Sequence, residues 1–380
     1  MNFTLTEEQT AIRDMAESFA SDEIAPHALE WDQTRHFPVD VIRNAASLGL
    51  GGIMVAEEFG GSGLGRFEAV LIYEALAKGC AAISAYLSIH NMVATMIDKH
   101  GSTAQKETYL PRLCSAEILA SYCLTEPSCG SDAAALTTRA ERDGDDYVLT
   151  GQKMFISGAG ATDLYVVMAR TGGPGAKGVS AFLVEKDAEG ITFGANERKM
   201  GWNAQPTRTV MLDRVRVRAD AMLGPEAAGF KLAMEALDGG RTSIAACSLG
   251  GAQSALEKAV AYTGERKAFG HKLNEFQALQ FAIAEMATDV EVSRTFLWRA
   301  AAALDAKLPE ATRLCAMAKK HVTDSGFEVA NRALQLHGGY GYLADYGVEK
   351  IVRDLRVHQI LEGTNEIMRL IIARSVLAEV

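Results

Sequence analysis

Long apolar runs are missing from this sequence: no stretch of about 18 or more consecutive apolar residues occurs, so no membrane-spanning helix is expected. Paired cysteines are missing as well. Cys80, Cys114, Cys123, Cys129, Cys247 and Cys315 are scattered without a CxxC pair. That spacing argues against a disulfide framework or a zinc site and reads as free thiols in a reducing compartment. Positive charge is scarce: the net charge is −10, and residues 1–120 carry 8 basic against 16 acidic side chains. Without a basic stripe, nucleic acid is not an expected partner. An anionic ligand has to be met by local arginines, backbone amides or helix N-termini. The start, Met1-Asn2-Phe3-Thr4-Leu5-Thr6, has no basic n-region and runs straight into a helix signal. This reads as a cytoplasmic protein as encoded, or as a mitochondrial matrix protein if it is a processed eukaryotic chain.

A dinucleotide fingerprint is absent too. Gly158-Ala159-Gly160-Ala161-Thr162-Asp163 lacks the third glycine and leads into a strand-like run, not a helix N-terminus. Gly172 to Gly178 contains Pro174 and has no Gly-Lys-Ser/Thr ending, so it reads as a hairpin turn.

What is present falls into three blocks. With 380 residues, two or three domains sharing cores are expected. Residues 1–120 have a helical period. Thr6 and Gln9 form a capping box, with Ile12, Met15, Ala16 and Phe19 following at helical spacing; Pro38 starts a second helix that Gly49 ends. Apolar stretches at 66–78 and 81–99 complete this N-terminal helical domain. Residues 121–228 change to short strand-like runs at 147–150, 154–157, 164–168, 181–184 and 209–212, separated by glycine turns. They predict a middle antiparallel β domain, a small barrel or sandwich. From Gly229 to Val380 the helical period returns in four long segments (229–263, 275–305, 309–337 and 346–377), which predict a C-terminal four-helix bundle.

Five separated segments then point to chemistry. They are Tyr122-Cys123-Leu124-Thr125-Glu126-Pro127-Ser128-Cys129-Gly130-Ser131-Asp132, Lys153-Met154-Phe155-Ile156-Ser157, Arg266-Lys267-Ala268-Phe269-Gly270 with Gln277, Gln335-Leu336-His337-Gly338-Gly339-Tyr340-Gly341, and Glu362-Gly363-Thr364-Asn365-Glu366. In this order and spacing the chain resembles the acyl-CoA dehydrogenase family over nearly its whole length. The resemblance implies an α-β-α fold, FAD, an acyl-CoA substrate, a homotetramer built as a dimer of dimers, and electron delivery to an electron-transfer flavoprotein. It implies α,β-desaturation, with a carboxylate taking the α-proton and the flavin N5 the β-hydride.

By the same resemblance Glu362 is the catalytic base, and its backbone amide helps hold the thioester oxygen. The family's alternative base belongs where Gly240 stands in Leu237-Asp238-Gly239-Gly240-Arg241, and glycine cannot take a proton. Tyr122, Leu124, Thr125, Gly130, Ser131, Phe155, Ile156 and Ser157 are expected around the flavin, with Phe155 standing where many relatives have tryptophan. Arg266, Phe269, Gln277, Gln335, Gly338 and Gly339 are expected to serve FAD across a subunit interface, and Thr364 and Glu366 to complete the cofactor set. Ser131, Asp238, Arg241, Leu361 and Gly363 are expected to line the substrate channel, though for Asp238 and Arg241 an intrahelical ion pair is the plainer alternative. No metal is expected.

The runs Thr171–Gly175, Gly201–Arg208, Ala246–Gly250 and Val357–Glu362 resemble the branch of the family that acts on short branched-chain thioesters. Isobutyryl-CoA, oxidised to methacrylyl-CoA in valine breakdown, is therefore the expected substrate, with overlap onto 2-methylbutyryl-, butyryl- and propionyl-CoA. Leu361, where many straight-chain relatives carry tyrosine, could make room for an α-methyl branch or reflect packing. The rivals are a flavin oxidase or monooxygenase of the same fold and a non-catalytic helical assembly protein.

Overall fold

The computed structural model describes residues 4–378, and the order helical, β, helical holds along them. The first helix, α1 (Glu7–Phe19), starts as the sequence requires. Thr6 Oγ1 accepts from the Gln9 amide at 3.1 Å while Gln9 Oε1 accepts from the Thr6 amide at 3.1 Å. A single π-helical turn (Ala20–Ile24) and α2 (Ala28–Thr34) follow, neither of which the periodicity resolves. After α3 (Val39–Ser47), the hydrophobic helices α4 (Arg66–Gly79) and α5 (Ala81–His100) fall where the apolar stretches place them. A further helix, α6 (Thr103–Cys114), carries its own capping box from Ser102 to Gln105.

The middle sheet contains β1 (Ala120–Cys123), β2 (Arg139–Asp143), β3 (Asp146–Ser157), β4 (Leu164–Arg170), β5 (Val179–Glu185), β6 (Ile191–Phe193), β7 (Thr207–Arg218) and β8 (Met222–Leu223). Its order is β6-β7-β3-β2-β4-β5-β8, with β1 beside β4. Two expectations need correction. The sheet is not wholly antiparallel, because β1 runs parallel to β4, with Ala120 opposite Leu164 and Cys123 opposite Val167. Nor is it a hydrogen-bonded barrel among the described residues, since β6 and β8 are free ends. One face covers a core containing Tyr147, Leu149, Tyr165, Phe182, Val210 and Val215. The runs at 147–150 and 154–157 are one strand, β3, interrupted by an irregularity between Lys153 and Ile156.

The C-terminal part holds α7 (Gly229–Glu265), α8 (Gln277–Asp305) and α9 (Ala311–His337). The fourth helix of the expected bundle is broken. It consists of α10 (Val348–Arg356), a 3-10 turn (Val357–Gln359), a loop, and α11 (Asn365–Leu377). α7 packs against both α4 and α9, so the first and last domains share one core. That sharing places the broken helix over the middle of α7. No described helix is long and apolar enough to cross a membrane.

Candidate active site

The break in the fourth helix positions Glu362. Glu362 has φ 56° and Gly363 φ 84°, so the chain turns left-handed at two successive residues before Thr364 caps α11 by accepting from the Ile367 amide. A left-handed glutamate is an uncommon conformation that surrounding contacts must hold. The side chain lies against α7 at Gly240, where a Cβ would come within 2.5 Å of Glu362 Oε2. The missing side chain at Gly240 thus makes the notch that the carboxylate fills, besides removing a rival base.

Part of the Glu362 residue remains accessible, but Oε2 is buried and has no hydrogen-bond partner. Burial raises its carboxyl to about 7, against the opposing charges of Arg241 and Lys319. From β1, the Tyr122 hydroxyl is also buried without a partner. Burial and then the Glu362 carboxylate push that hydroxyl up, which sets it beside the same charge. Two unpartnered buried polar atoms, one near neutrality, suit a proton transfer in a dry pocket.

The residues expected around a flavin are arranged by the irregularity in β3. Lys153 pairs with Val210 and Ile156 with Arg208, so β3 carries one extra residue, and Phe155 in this bulge has φ 60°. A bulge re-aims a side chain, and here it leaves Phe155 60% exposed. The Met154 amide donates to Thr125 O at 2.8 Å, joining this strand to the loop of Thr125, Gly130 and Ser131. Beneath both lies a buried ion pair. Lys153 Nζ donates to Glu126 Oε1 at 2.7 Å and to Leu124 O at 3.2 Å, while Glu126 also accepts from the Thr137 and Thr138 amides. The exposed ring, the half-buried Thr125 and Ser157, and the exposed Gly130 and Ser131 fit a planar aromatic cofactor. The side chains of Ile156 and Leu124 lie in hydrophobic cores, which leaves their backbones to meet a ligand. Ser157 Oγ is met by Gln205 Nε2 at 3.4 Å, a neighbour the sequence did not suggest.

Among the substrate-side residues, Arg241 and Asp238 form the intrahelical ion pair at 2.5 Å. Asp238 also accepts from Thr312 Oγ1 of α9 at 2.7 Å. Arg241 is buried with Nε unpartnered, and its charge reaches Glu362, so it belongs to the electrostatics of the site. Leu361 is half-buried against the helical core, which favours the packing reading of that residue. Glu366 is exposed and paired with Arg369 at 2.8 Å.

A second cleft, of about 540 Å³, gathers Arg266, Gln335, Gly338, Gly339 and Tyr340. The Arg266 guanidinium lies 5.2 Å from the centre of the Tyr340 ring. Phe269, 93% exposed at φ 54°, and Gln277 at the start of α8 stand outside its lining. No cluster of metal-ligating side chains occurs among the described residues.

Periodicity missed Lys319, Asn365, Asp324 and His358, all packed around the Glu362 loop. A signal for Lys319 existed: it sits among Cys315, Ala316, Val322 and Thr323 on the apolar stripe of α9.

Three family models match the chain in order: the acyl-CoA dehydrogenase N-terminal domain at 6–117, middle domain at 121–215 and C-terminal domain at 227–377. A Bos taurus protein named isobutyryl-CoA dehydrogenase, mitochondrial, is 51% identical over 375 residues, covering 99% of this chain and 90% of its own. A Dictyostelium discoideum protein of the same name is 52% identical, covering 97% and 89%. The solved butyryl-CoA dehydrogenase from Megasphaera elsdenii superposes with a TM-score of 0.96 at 37% identity, covering 99% of this chain and all of its own.

Proposed function

The chain belongs to the acyl-CoA dehydrogenase family, and from that premise we propose that it desaturates isobutyryl-CoA with Glu362 as the base. It is an FAD-dependent oxidoreductase. The observation that carries the base is the buried, unpartnered Oε2 of Glu362 held in the Gly240 notch, with its carboxyl near 7. At that value the group is ionised in a large fraction of molecules at neutral pH, yet basic enough to take a proton from carbon.

FAD, when bound, supplies the acceptor for the β-hydride. The chain's own part is to take the α-proton at Glu362, to keep water from its Oε2, and to hold the acyl thioester against it. The Glu362 amide is proposed to donate to the thioester oxygen as charge develops there. Thr125, Ser131, Phe155 and Ser157 are proposed to bind the flavin ring and its side chain. Arg266 and Gln335 to Gly339 are proposed to serve the FAD pyrophosphate and adenosine of a partner subunit. The exposure of Phe269, and of Tyr342 at 83%, supports burial of this end against another copy in a homotetramer. An electron-transfer flavoprotein is the proposed acceptor. The mitochondrial names of the two relatives support a matrix location for a eukaryotic form.

Substrate choice rests on the 51–52% identity to proteins named for isobutyryl-CoA, not on Leu361. In anaerobic mixing, isobutyryl-CoA is expected to bleach the flavin about 10-fold or more faster than hexanoyl- or isovaleryl-CoA. Overlap onto 2-methylbutyryl- and butyryl-CoA is expected. Equal or faster bleaching by hexanoyl- or isovaleryl-CoA removes the substrate assignment. Rapid reoxidation of the reduced flavin by air would instead indicate an oxidase.

The notch gives a further prediction. Gly240→Ala puts a methyl group 2.5 Å from Oε2 and must displace the carboxylate. Bleaching is expected to slow on the order of 100-fold, as for a misplacement of about 1 Å, with FAD content unchanged. Wild-type bleaching by Gly240→Ala would mean that the carboxylate does not act from this position.

A further inference from the structure

Lys319 lies on α9 directly behind the Glu362 turn, and its side chain is fully buried. Nζ donates to Gly363 O and to Asn365 Oδ1, each at 2.8 Å. Asn365 Nδ2 in turn donates to Asp324 Oδ1 at 2.7 Å and Thr323 Oγ1 at 3.0 Å, and Gln359 Nε2 donates to Asp324 Oδ1 at 2.9 Å. These bonds bracket Glu362 on both sides along the chain. A turn that is left-handed at both 362 and 363 has to be held from outside, and this network is what holds it.

Hydrogen bonding alone does not explain a lysine here. Burying an ammonium costs several kcal/mol even after relaxation, and a neutral amide could donate to the same two oxygens at less cost. The charge therefore calls for its own account. We propose that Lys319 is a positioning residue for Glu362: it pins the left-handed turn through Gly363 and Asn365, and its positive charge opposes the protonation of the Glu362 carboxylate that the dry pocket favours. This rests on the reading of Glu362 as the base.

The surrounding groups are consistent with that role. Facing Glu362 are Arg241 from α7 and Lys319 from α9, with the Tyr122 hydroxyl from β1 and the Cys247 thiol from α7 both pushed up and uncharged. Arg241 is already engaged with Asp238, which leaves Lys319 as the cation not committed to another carboxylate by a direct ion pair. Facing Lys319 are Glu362, Asp324 on its own helix, Glu366 of α11 and, as a like charge, Arg241. Burial pulls the Lys319 ammonium down to about 7 against the attraction of Glu362. His358, buried under the same loop, is held at about 3 by burial and then by the Lys319 charge, so it stays neutral.

The sign follows from this geometry. An opposite charge favours the ionised carboxylate, so removing it raises the Glu362 pKa, and the base then ionises only at higher pH.

The test is anaerobic flavin bleaching across pH by the fastest acyl-CoA of the panel, together with hydrogen exchange of segment 357–366 followed by mass spectrometry. Lys319→Gln, which keeps neutral donors, is expected to move the acid limb up by about one pH unit and to slow bleaching about tenfold below pH 7. Lys319→Met is expected to do the same and also to speed exchange in 357–366, whereas Lys319→Arg returns the limb toward its wild-type position. Asn365→Ala, which loosens the turn and keeps the charge, is expected to speed exchange without moving the limb. Should the Lys319 variants not fold, unchanged exchange in Asn365→Ala by itself overturns the proposal. An acid limb unmoved in FAD-loaded Lys319→Met, or unchanged exchange in both Lys319→Met and Asn365→Ala, overturns the proposal. The parent reading fails separately: if Glu362→Gln keeps wild-type bleaching, Glu362 is not the base whatever Lys319 does.

Discussion

Glu362→Gln is expected to retain FAD and the fold but to lose flavin bleaching by a factor on the order of 10³–10⁴, the upper range for removing a positioned base. Glutamine nearly matches glutamate in shape, so the Gly240 notch and the left-handed turn stay filled and the loss reports proton transfer. The wild-type pH profile provides a second check on the same group. Burial raises the Glu362 carboxyl to about 7, and the base works only when ionised. Bleaching should therefore climb as pH rises through about 7, and the variant's residual rate should lack that limb. The stability linkage has the opposite direction from an ordinary salt-bridged acid. A raised carboxyl pKa means that the folded protein binds the proton more tightly than the unfolded chain. This group therefore opposes folding increasingly as pH rises from about 4.5 to 7. Glu362→Gln should accordingly be no less stable than wild type at pH 8, as read by denaturant unfolding. Full retained bleaching would take Glu362 out of the mechanism.

The largest stability effect is expected at the ion pair beneath the flavin-facing strand. Lys153 and Glu126 are essentially inaccessible, with Lys153 Nζ 2.7 Å from Glu126 Oε1. Burial works to raise Glu126, but the charge and hydrogen bond of Lys153, then the donors of Thr138 and Thr137, hold it at about 2. Burial drives the Lys153 ammonium the other way, downward, and Glu126 resists. The glutamate direction governs at neutral pH, because its oxygens are fully met by donors, so the pair is ionised there.

Lys153→Met leaves a buried carboxylate without its cation and is expected to cost about 3–5 kcal/mol. Loss of FAD should accompany it, since the pair joins the Thr125 loop to the strand carrying Phe155. The double variant Glu126→Gln/Lys153→Met should recover most of the loss, because it removes the charge left uncompensated. Because Glu126 is depressed, its contribution is fully present above about 4.5 and fades as pH falls toward 2. Thermal unfolding with flavin fluorescence as the probe distinguishes these outcomes. A Lys153→Met protein as stable as wild type would mean that the pair contributes nothing.

Much of this molecule is legible in the chain because its signals are local. Capping chemistry at Thr6, the apolar stretches that became α4 and α5, and the change from helical to strand period all depend on residues a few positions apart. The five motif segments were readable for the same reason, and Gly240 could be struck out as a base from its identity alone. The errors lie where local period is a poor guide. Residues 346–377 keep an apolar pattern across the break at 357–364, so periodicity joined two helices that the Glu362-Gly363 turn separates. Gly151, at the register shift that follows Leu149, likewise split one strand into two apparent ones.

The sequence by itself determined the three-part order and the family resemblance, and it ruled out residue 240 as a base. Only the tertiary structure decided that Gly240 is the notch into which Glu362 fits, that Leu361 packs into the core, and that buried lysines stand behind both halves of the site. The physical reason is distance along the chain. Lys153 meets Glu126 from 27 residues away and Lys319 meets Gly363 from 44. A buried charge is intelligible only beside its partner, and folding alone brings the two together.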